Sequence, residues 1–188
     1  MHEMRLLATI AALLAVLFAT VHAAPAGGQD VLLERRVALE QAVVDELNTV
    51  RAARGVPPVR TTNGLRSAAV QHSRAMVLRG FFSHTSADGT AFHDRIRRHY
   101  ASRGWATWSV GETLFASSGA TDAAAVVAAW LKSPPHREII LSSAWRNTGV
   151  AVIYRPSAPG AFAGSDALVV TADFGHREGR ALSARTTR

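Results

Sequence analysis

The chain of 188 residues contains no cysteine. This absence excludes a disulfide framework, a thiolate metal site and a cysteine nucleophile, and it excludes a lipid anchor on an N-terminal cysteine. Lysine is almost absent as well, because Lys132 is the only one and arginine supplies nearly all of the positive charge. A fold of this composition must be held together by the packing of its core.

The charge balance is strongly basic, with 21 Lys and Arg against 14 Asp and Glu and a pI near 11.3. Such an excess indicates either an arginine-rich solvated surface or attraction to anionic polymers and membrane surfaces. The sequence has no dense basic run with interleaved aromatic residues, which favours the first interpretation and predicts no nucleic-acid partner. One cluster of arginines is predicted around a single helix: Arg95, Arg97, Arg98 and Arg103.

The N-terminus has the pattern of a signal peptide. Arg5 precedes an apolar run from Leu6 to Phe18, and Val21-His22-Ala23 offers small residues at the cleavage positions. Cleavage after Ala23 predicts a secreted protein, extracellular or periplasmic, and the alternative is an uncleaved N-terminal anchor. Because the apolar run is too short to span a bilayer comfortably, no transmembrane segment is predicted after cleavage.

Helical periodicity and turn residues divide the remaining chain into helices first and strands last. The predicted helices are Val31–Arg54, Leu65–Arg79, Ala91–Ser102, one capped by Thr121 that runs to Trp130, and a short one after Ser133 and Pro134. The predicted strands are Thr148–Tyr154 and Ala167–Phe174, joined by a long loop, with an extended segment at Gly104–Val110. This order predicts an α+β domain with an antiparallel sheet. The predicted organisation is a signal peptide (1–23), a linker (24–36), one domain (37–176) and a flexible C-terminal tail (177–188).

Several polar residues have structural interpretations. His72 falls on the apolar face of its helix, which favours a core histidine with a backbone partner over a ligand. Asn48 and Arg51 share one side of the first helix and either fasten it to a neighbouring loop or face solvent. Asp173 is predicted at a strand end with backbone contacts, and His176 is predicted to be exposed.

Three stretches carry the side chains that could do chemistry. Gly80–Gly89 places His84 in a polar, turning loop behind two aromatic anchors. Trp108–Glu112 brings a carboxylate after an apolar run, and Trp130–Arg137 brings His136 into the first turn of a helix that Ser133 is predicted to cap.

These stretches belong to an ordered set of short motifs. The set comprises Leu47-Asn48-x-x-Arg51, Phe82-Ser83-His84, Gly111-Glu112, Trp130-x-x-Ser133-Pro134-x-His136-Arg137, Gly149-Val150 and Val170-Thr171-Ala172-Asp173-Phe174-Gly175. Over about Val37 to Gly175 the chain resembles the CAP superfamily of cysteine-rich secretory proteins, antigen 5 and pathogenesis-related proteins. It is similar to the cysteine-free bacterial branch, the SCP-like extracellular proteins.

The resemblance implies a three-layer α-β-α sandwich around a central antiparallel sheet. It also implies a cleft lined by two histidines and acidic residues, which binds a divalent metal such as zinc in some members. By position the histidines are His84 and His136, the candidate metal ligands, and the acid is Glu112. Three positions depart from the family pattern: Thr113 stands where asparagine is usual, Pro135 where glycine is common, and Ser133 where eukaryotic members often carry a second glutamate.

The site admits more than one chemistry. Two imidazoles and one carboxylate could supply three zinc ligands and leave a fourth position for water. A metal-free site would have Glu112 hydrogen-bonded to one imidazole, and either arrangement could instead be a buried polar network that ties loops together. Neither Ser83 nor Ser133 lies in a nucleophile-elbow motif.

Two functions of different classes follow. The favoured one is a secreted binding protein whose cleft, formed by His84, Glu112, His136 and Ser133, holds a small molecule, lipid, peptide, envelope polymer or divalent metal without turnover. The alternative is a metal-dependent or His/Glu-assisted extracellular hydrolase of the peptidase type, with Glu112 as the candidate catalytic residue. The oligomeric state is left open.

Overall fold

The computed structural model describes residues 32–180. Within this range the chain forms five α-helices: α1 (Val37–Ala52), α2 (Asn63–Arg79), α3 (Phe92–Arg97), α4 (Ala123–Lys132) and α5 (Pro134–Leu141). Five strands accompany them: β1 (Glu34–Arg35), β2 (Arg60–Thr61), β3 (Trp105–Ser117), β4 (Asn147–Arg155) and β5 (Ala167–Arg180). The predicted signal peptide, residues 1–23, lies outside the described residues.

The strands form one sheet in the order β1-β4-β5-β3, in which the long β3, β4 and β5 pair antiparallel. The short β2 adds to β4 in parallel. Strand β3 therefore lies at an edge of the sheet, with one side paired to β5. The sheet confirms the predicted α+β class and the antiparallel pairing of the last two strands.

Helices cover both faces of the sheet, which gives the three layers that the family resemblance implied. Helix α2 packs on one face, where Met76 and Val77 meet Leu114, Ile153 and Val169. Helices α1, α4 and α5 pack on the other face through a larger core. That core includes Val43, Leu47, Val126, Trp130, Ile140, Val150, Val152, Val170 and Phe174. Side chains alternate between the two faces along each strand, so neighbouring strand residues enter different layers.

The sheet includes residues on both sides of the predicted domain range, 37–176. Glu34 and Arg35, inside the predicted linker, form β1 because they pair with Tyr154 and Ile153 of β4. Strand β5 continues to Arg180 and so enters the predicted tail, because its last residues pair with the extended start of β3.

The first helix is fastened to the neighbouring loops by its polar residues, one of the two alternatives that the sequence left open. The Asn48 side chain exchanges two hydrogen bonds with the backbone of Val59, at 3.0 and 2.9 Å. The buried Arg51 guanidinium donates to the carbonyl groups of Pro57, Ile140 and Ser142. These contacts position the start of β2 and the end of α5 without any ligand.

Candidate functional site

Glu112 is the buried centre of the candidate site. It lies on the edge strand β3, on the sheet face that α2 covers, and only 2% of the residue is exposed. Each of its carboxylate oxygens has a different partner: Oε1 meets His84 and Oε2 meets Arg95. A carboxylate held from both ends cannot turn freely toward a substrate.

His84 is the exposed member of the pair. It lies in the loop between α2 and α3, and 48% of its side chain is accessible. Its Nδ1 stands 2.8 Å from Oε1 of Glu112. Because an ionised carboxylate can only accept, Nδ1 carries a proton and donates it to this hydrogen bond. The ring is further packed edge-on against Phe92, at 6.4 Å between ring centroids.

Arg95 completes the buried ion pair and was not predicted as a site residue. It forms a salt bridge with Oε2 of Glu112, and its Nη1 donates to the His84 carbonyl at 3.1 Å and to Ser86 Oγ at 3.2 Å. One guanidinium thus fixes both the carboxylate and the backbone that carries His84. The sequence did contain a signal, since Arg95 is spaced three residues after Phe92 and one before Ile96, on the inward face of α3.

The ionisation of Glu112 follows from these contacts. Burial is the largest influence and opposes the charged form, but the hydrogen bond from His84 and the charge of Arg95 together outweigh it. The net result is a pKa of Glu112 below its usual range. The site therefore contains a carboxylate that stays charged at neutral pH and fixes the His84 tautomer.

His136 stands beside His84 on the other side of the site. It is half-buried in the first turn of α5, and the two imidazole centroids are 6.3 Å apart with ring planes tilted by 57°. Burial and, after it, the nearby His84 lower the pKa of His136, which therefore remains neutral at neutral pH. Ser133 lies half-buried at the N-cap position of α5, as predicted, but its side chain makes no capping hydrogen bond.

Only some of the predicted site residues are arranged as ligands for a divalent ion. Within residues 32–180, no group of three or more His, Asp and Glu side chains is arranged to hold a metal ion. Glu112 is not free to serve as a third ligand because both of its oxygens are engaged. Two imidazoles remain, one of them oriented by a carboxylate in the way usual for metal-bound histidine. The arrangement fits a two-histidine site in which water or a ligand supplies the other positions.

His72 supports the site from below. It is 1% exposed on α2, and its Nε2 lies 2.8 Å from the carbonyl oxygen of Ser83, to which it donates. Burial lowers its pKa, so the ring is neutral. The prediction of a core histidine with a backbone partner is confirmed, and that partner is the residue before His84.

Asp173 corrects a prediction. It does not end a strand, because β5 runs on to Arg180, and it lies fully buried directly opposite Glu112 in the β3–β5 ladder. Its neighbour on the other side is Gly149 of β4. The alternation of β5 contained the signal, since Asp173 follows Val169 and Thr171 on the face that α2 covers. His176, predicted to be exposed, is half-buried.

A large groove of about 1190 Å³ lies away from the histidines. It runs between the start of α1, the segment before α4 and the neighbouring ends of β4 and β5, where Tyr154 and Leu168 line it. None of His84, Glu112, Ser133 and His136 lines this groove. The candidate site is thus a surface arrangement at a sheet edge and is separate from this groove.

Comparison with known proteins places these residues in a family. Residues 44–173 match the model of the cysteine-rich secretory protein family, CAP. This span contains the whole candidate site, from His84 to Asp173. A search of curated proteins found no match.

Solved structures share the fold. An outer surface protein of Borrelia burgdorferi is 20% identical with a TM-score of 0.63, and the match covers 79% of this chain and 99% of that one. An extracellular protein with an SCP domain from Bacillus anthracis is 24% identical with a TM-score of 0.57, covering 73% of this chain. A cysteine-rich secretory protein from Staphylococcus aureus is 12% identical with a TM-score of 0.52, covering 76% of this chain. This chain spans only 40% and 39% of the Bacillus and Staphylococcus proteins.

Proposed function

Because the chain belongs to the cysteine-rich secretory protein (CAP) family, we propose that it acts outside the cytoplasm as a binding protein. In this proposal His84 and His136 hold a small ligand or a divalent ion between them, without chemical turnover. Export is supported by the N-terminal sequence pattern and by the extracellular and outer-surface relatives that share the fold. No helix formed by residues 32–180 is long and apolar enough to cross a membrane.

The observation that carries the proposal is the pair of imidazole rings whose centroids lie 6.3 Å apart, one of which is hydrogen-bonded to a buried carboxylate. Imidazole nitrogens with free lone pairs bind transition metals, and they also accept hydrogen bonds from a ligand. If a divalent ion binds, His84 and His136 would hold it and it would supply a positive centre for an anionic or carbonyl ligand. Glu112 and Arg95 would not touch that ion, and their part is to orient His84.

Binding is favoured over turnover because the neighbouring groups are engaged elsewhere. Glu112 is buried with both oxygens occupied, so it cannot take a proton from a substrate directly. The Ser83 hydroxyl accepts a hydrogen bond from the backbone of Thr85 at 3.1 Å and supports the loop. Ligands of the proposed site include small molecules, lipid headgroups, peptides and envelope polymers that present a suitable acceptor or donor.

Calorimetric titration with Zn²⁺ tests the site. We expect the wild-type protein to bind one ion and the His84→Ala and His136→Ala variants to bind at least about tenfold more weakly, since each loses half of the protein ligands. His93→Ala is the matched control, because 47% of its side chain is exposed and it lies outside the site. Unchanged Zn²⁺ binding in the double variant of His84 and His136 would contradict the assignment.

One observation supports a hydrolase as the second candidate. The Glu112–His84 hydrogen bond of 2.8 Å is the orienting half of a catalytic dyad, which would let Nε2 of His84 take a proton from water. A broad peptide library separates the two functions. Turnover that is abolished in a folded Glu112→Gln variant would establish the hydrolase, and no turnover by the wild-type protein with or without Zn²⁺ would support binding alone.

A further inference from the structure

Asp173 and Glu112 form a pair of buried carboxyl groups. They lie directly opposite each other on β5 and β3, so their side chains project from the same face of the sheet. Asp173 is fully buried and Glu112 nearly so. The β4 residue on the other side of Asp173 is Gly149, which has no side chain to interact. Glu112 is therefore the polar group that faces Asp173 across the strands.

The two carboxyl groups have unequal surroundings. Glu112 accepts hydrogen bonds from Arg95 and His84. In contrast, no hydrogen-bond donor within the described residues reaches either carboxyl oxygen of Asp173. A buried carboxylate without a donor is far more costly than a buried carboxylic acid. Burial and, after it, the charge of Glu112 raise the pKa of Asp173 well above its usual range, and this agrees with the geometry.

We propose that Asp173 is protonated in the folded protein and donates its O–H hydrogen bond to the Glu112 carboxylate. The proton stays on Asp173, and Glu112 stays ionised. An ionised carboxylate has about four acceptor positions, so it can accept from His84, Arg95 and Asp173 together. Asp173 is thus a positioning residue that holds Glu112 in place for His84.

The charged and titratable groups around Asp173 are consistent with a single proton on the Asp173–Glu112 pair. They are Glu112 from β3, Arg95 from α3 and, facing Glu112 from α2, the neutral ring of His72. Arg95 is already committed to Glu112, and His72 donates to the Ser83 carbonyl. Loss of the Asp173 proton would place two carboxylates side by side and push Glu112 away from His84. The effect of this pair on ligand binding rests on the proposed function, whereas the existence of the pair does not.

Infrared spectroscopy of the ligand-free protein tests the pair. We expect a C=O stretch of a protonated carboxyl group at neutral pH, which disappears in Asp173→Asn and persists in the control Asp45→Asn, whose side chain is exposed. Absence of this band in the wild-type protein, or its persistence in Asp173→Asn, would overturn the proposal. Because no ligand is present, the outcome is independent of whether Zn²⁺ binds.

One further readout distinguishes positioning from a merely structural role. Nitrogen chemical shifts of His84 should report one tautomer, protonated at Nδ1, in the wild-type protein and in Asp173→Asn, whose amide still donates to Glu112. They should report mixed tautomers in Asp173→Leu. A single tautomer in a folded Asp173→Leu variant would overturn the positioning role, and should that variant not fold, mixed tautomers in Asp173→Asn would overturn it.

The pH dependence of unfolding has a defined sign. When a carboxyl group has a raised pKa in the folded state, the free energy of unfolding falls as the pH rises above the pKa that the group has in the unfolded chain. The reason is that the unfolded chain releases a proton that the folded protein keeps. The urea midpoint of Asp173→Asn relative to wild type should therefore increase steadily from about pH 4, the ordinary carboxyl pKa, to neutral pH. A difference that stays constant over this interval would contradict a protonated Asp173.

Discussion

Replacement of Gly149 by alanine is expected to destabilise the fold by more than about 3 kcal/mol, which is a large part of the total stability of a small domain. A Cβ built at this position would lie closer than 3.0 Å to backbone atoms of Leu65 and Arg66 in the first turn of α2. Backbone atoms cannot rotate away as a side chain does, so α2 would have to move off the sheet. The measurement is the urea-induced unfolding curve of the variant.

Gly119→Ala is the matched control. A Cβ at Gly119 would meet no atom within 4 Å, and the residue is not in a positive-φ conformation. We expect its stability to stay within about 0.5 kcal/mol of the wild type. A Gly149→Ala protein with a wild-type unfolding midpoint would show that α2 does not pack on β4 as closely as described. The candidate site shares this interface, since α2 carries His72 beneath the His84 loop.

The elements with strong periodicity could be predicted from the sequence. The second helix, predicted over 65–79, forms over 63–79, and the two apolar runs form the paired strands β4 and β5. Local signals decide these elements, since each has its own apolar pattern and its own turn or capping residues. The three layers and the approach of His84, Glu112 and His136 came from the family resemblance, because no local spacing brings together residues from three distant segments.

The pairing of Glu112 with its buried partners could not be predicted in this way. Helical spacing places Arg95 on the inward face of α3, but only the packing of that helix against β3 brings its guanidinium to Glu112. Asp173 looked like the end of a strand because the apolar run stops at Phe174, whereas the pairing of β5 with the start of β3 extends the strand. Burial of a charged side chain depends on its partner from another element, and that partner is a tertiary property.

The Arg95–Glu112 pair shows how the exposed histidine depends on buried charge. His84 has access to solvent, but the groups that fix its ring and its backbone lie beneath it. A buried ion pair contributes little net stability when intact, yet removal of one partner leaves an uncompensated charge. Burial opposes the charged form of Glu112, and Arg95 favours it. We therefore expect substitution of Arg95 to have the largest effect on stability among the residues of the site.

Arg95→Met is expected to destabilise the protein at neutral pH by about 3–5 kcal/mol. In the wild type the depressed pKa of Glu112 contributes stability above the ordinary carboxyl pKa, and this is lost as pH falls through the folded-state value. Without Arg95, burial is no longer outweighed and raises the pKa of Glu112, so the variant should instead lose stability as pH rises.

The test is the unfolding free energy of both proteins measured as a function of pH. The difference between them should shrink on acidification, because a protonated Glu112 needs no cation. The double variant Arg95→Met/Glu112→Gln should recover much of the loss at neutral pH, since it removes both charges together. Arg98→Met, an exposed arginine at the end of the same helix, should change stability by no more than about 0.5 kcal/mol. A penalty for Arg95→Met that is the same at all pH values, with no recovery in the double variant, would mean that Arg95 acts through its packing and not through the charge of Glu112.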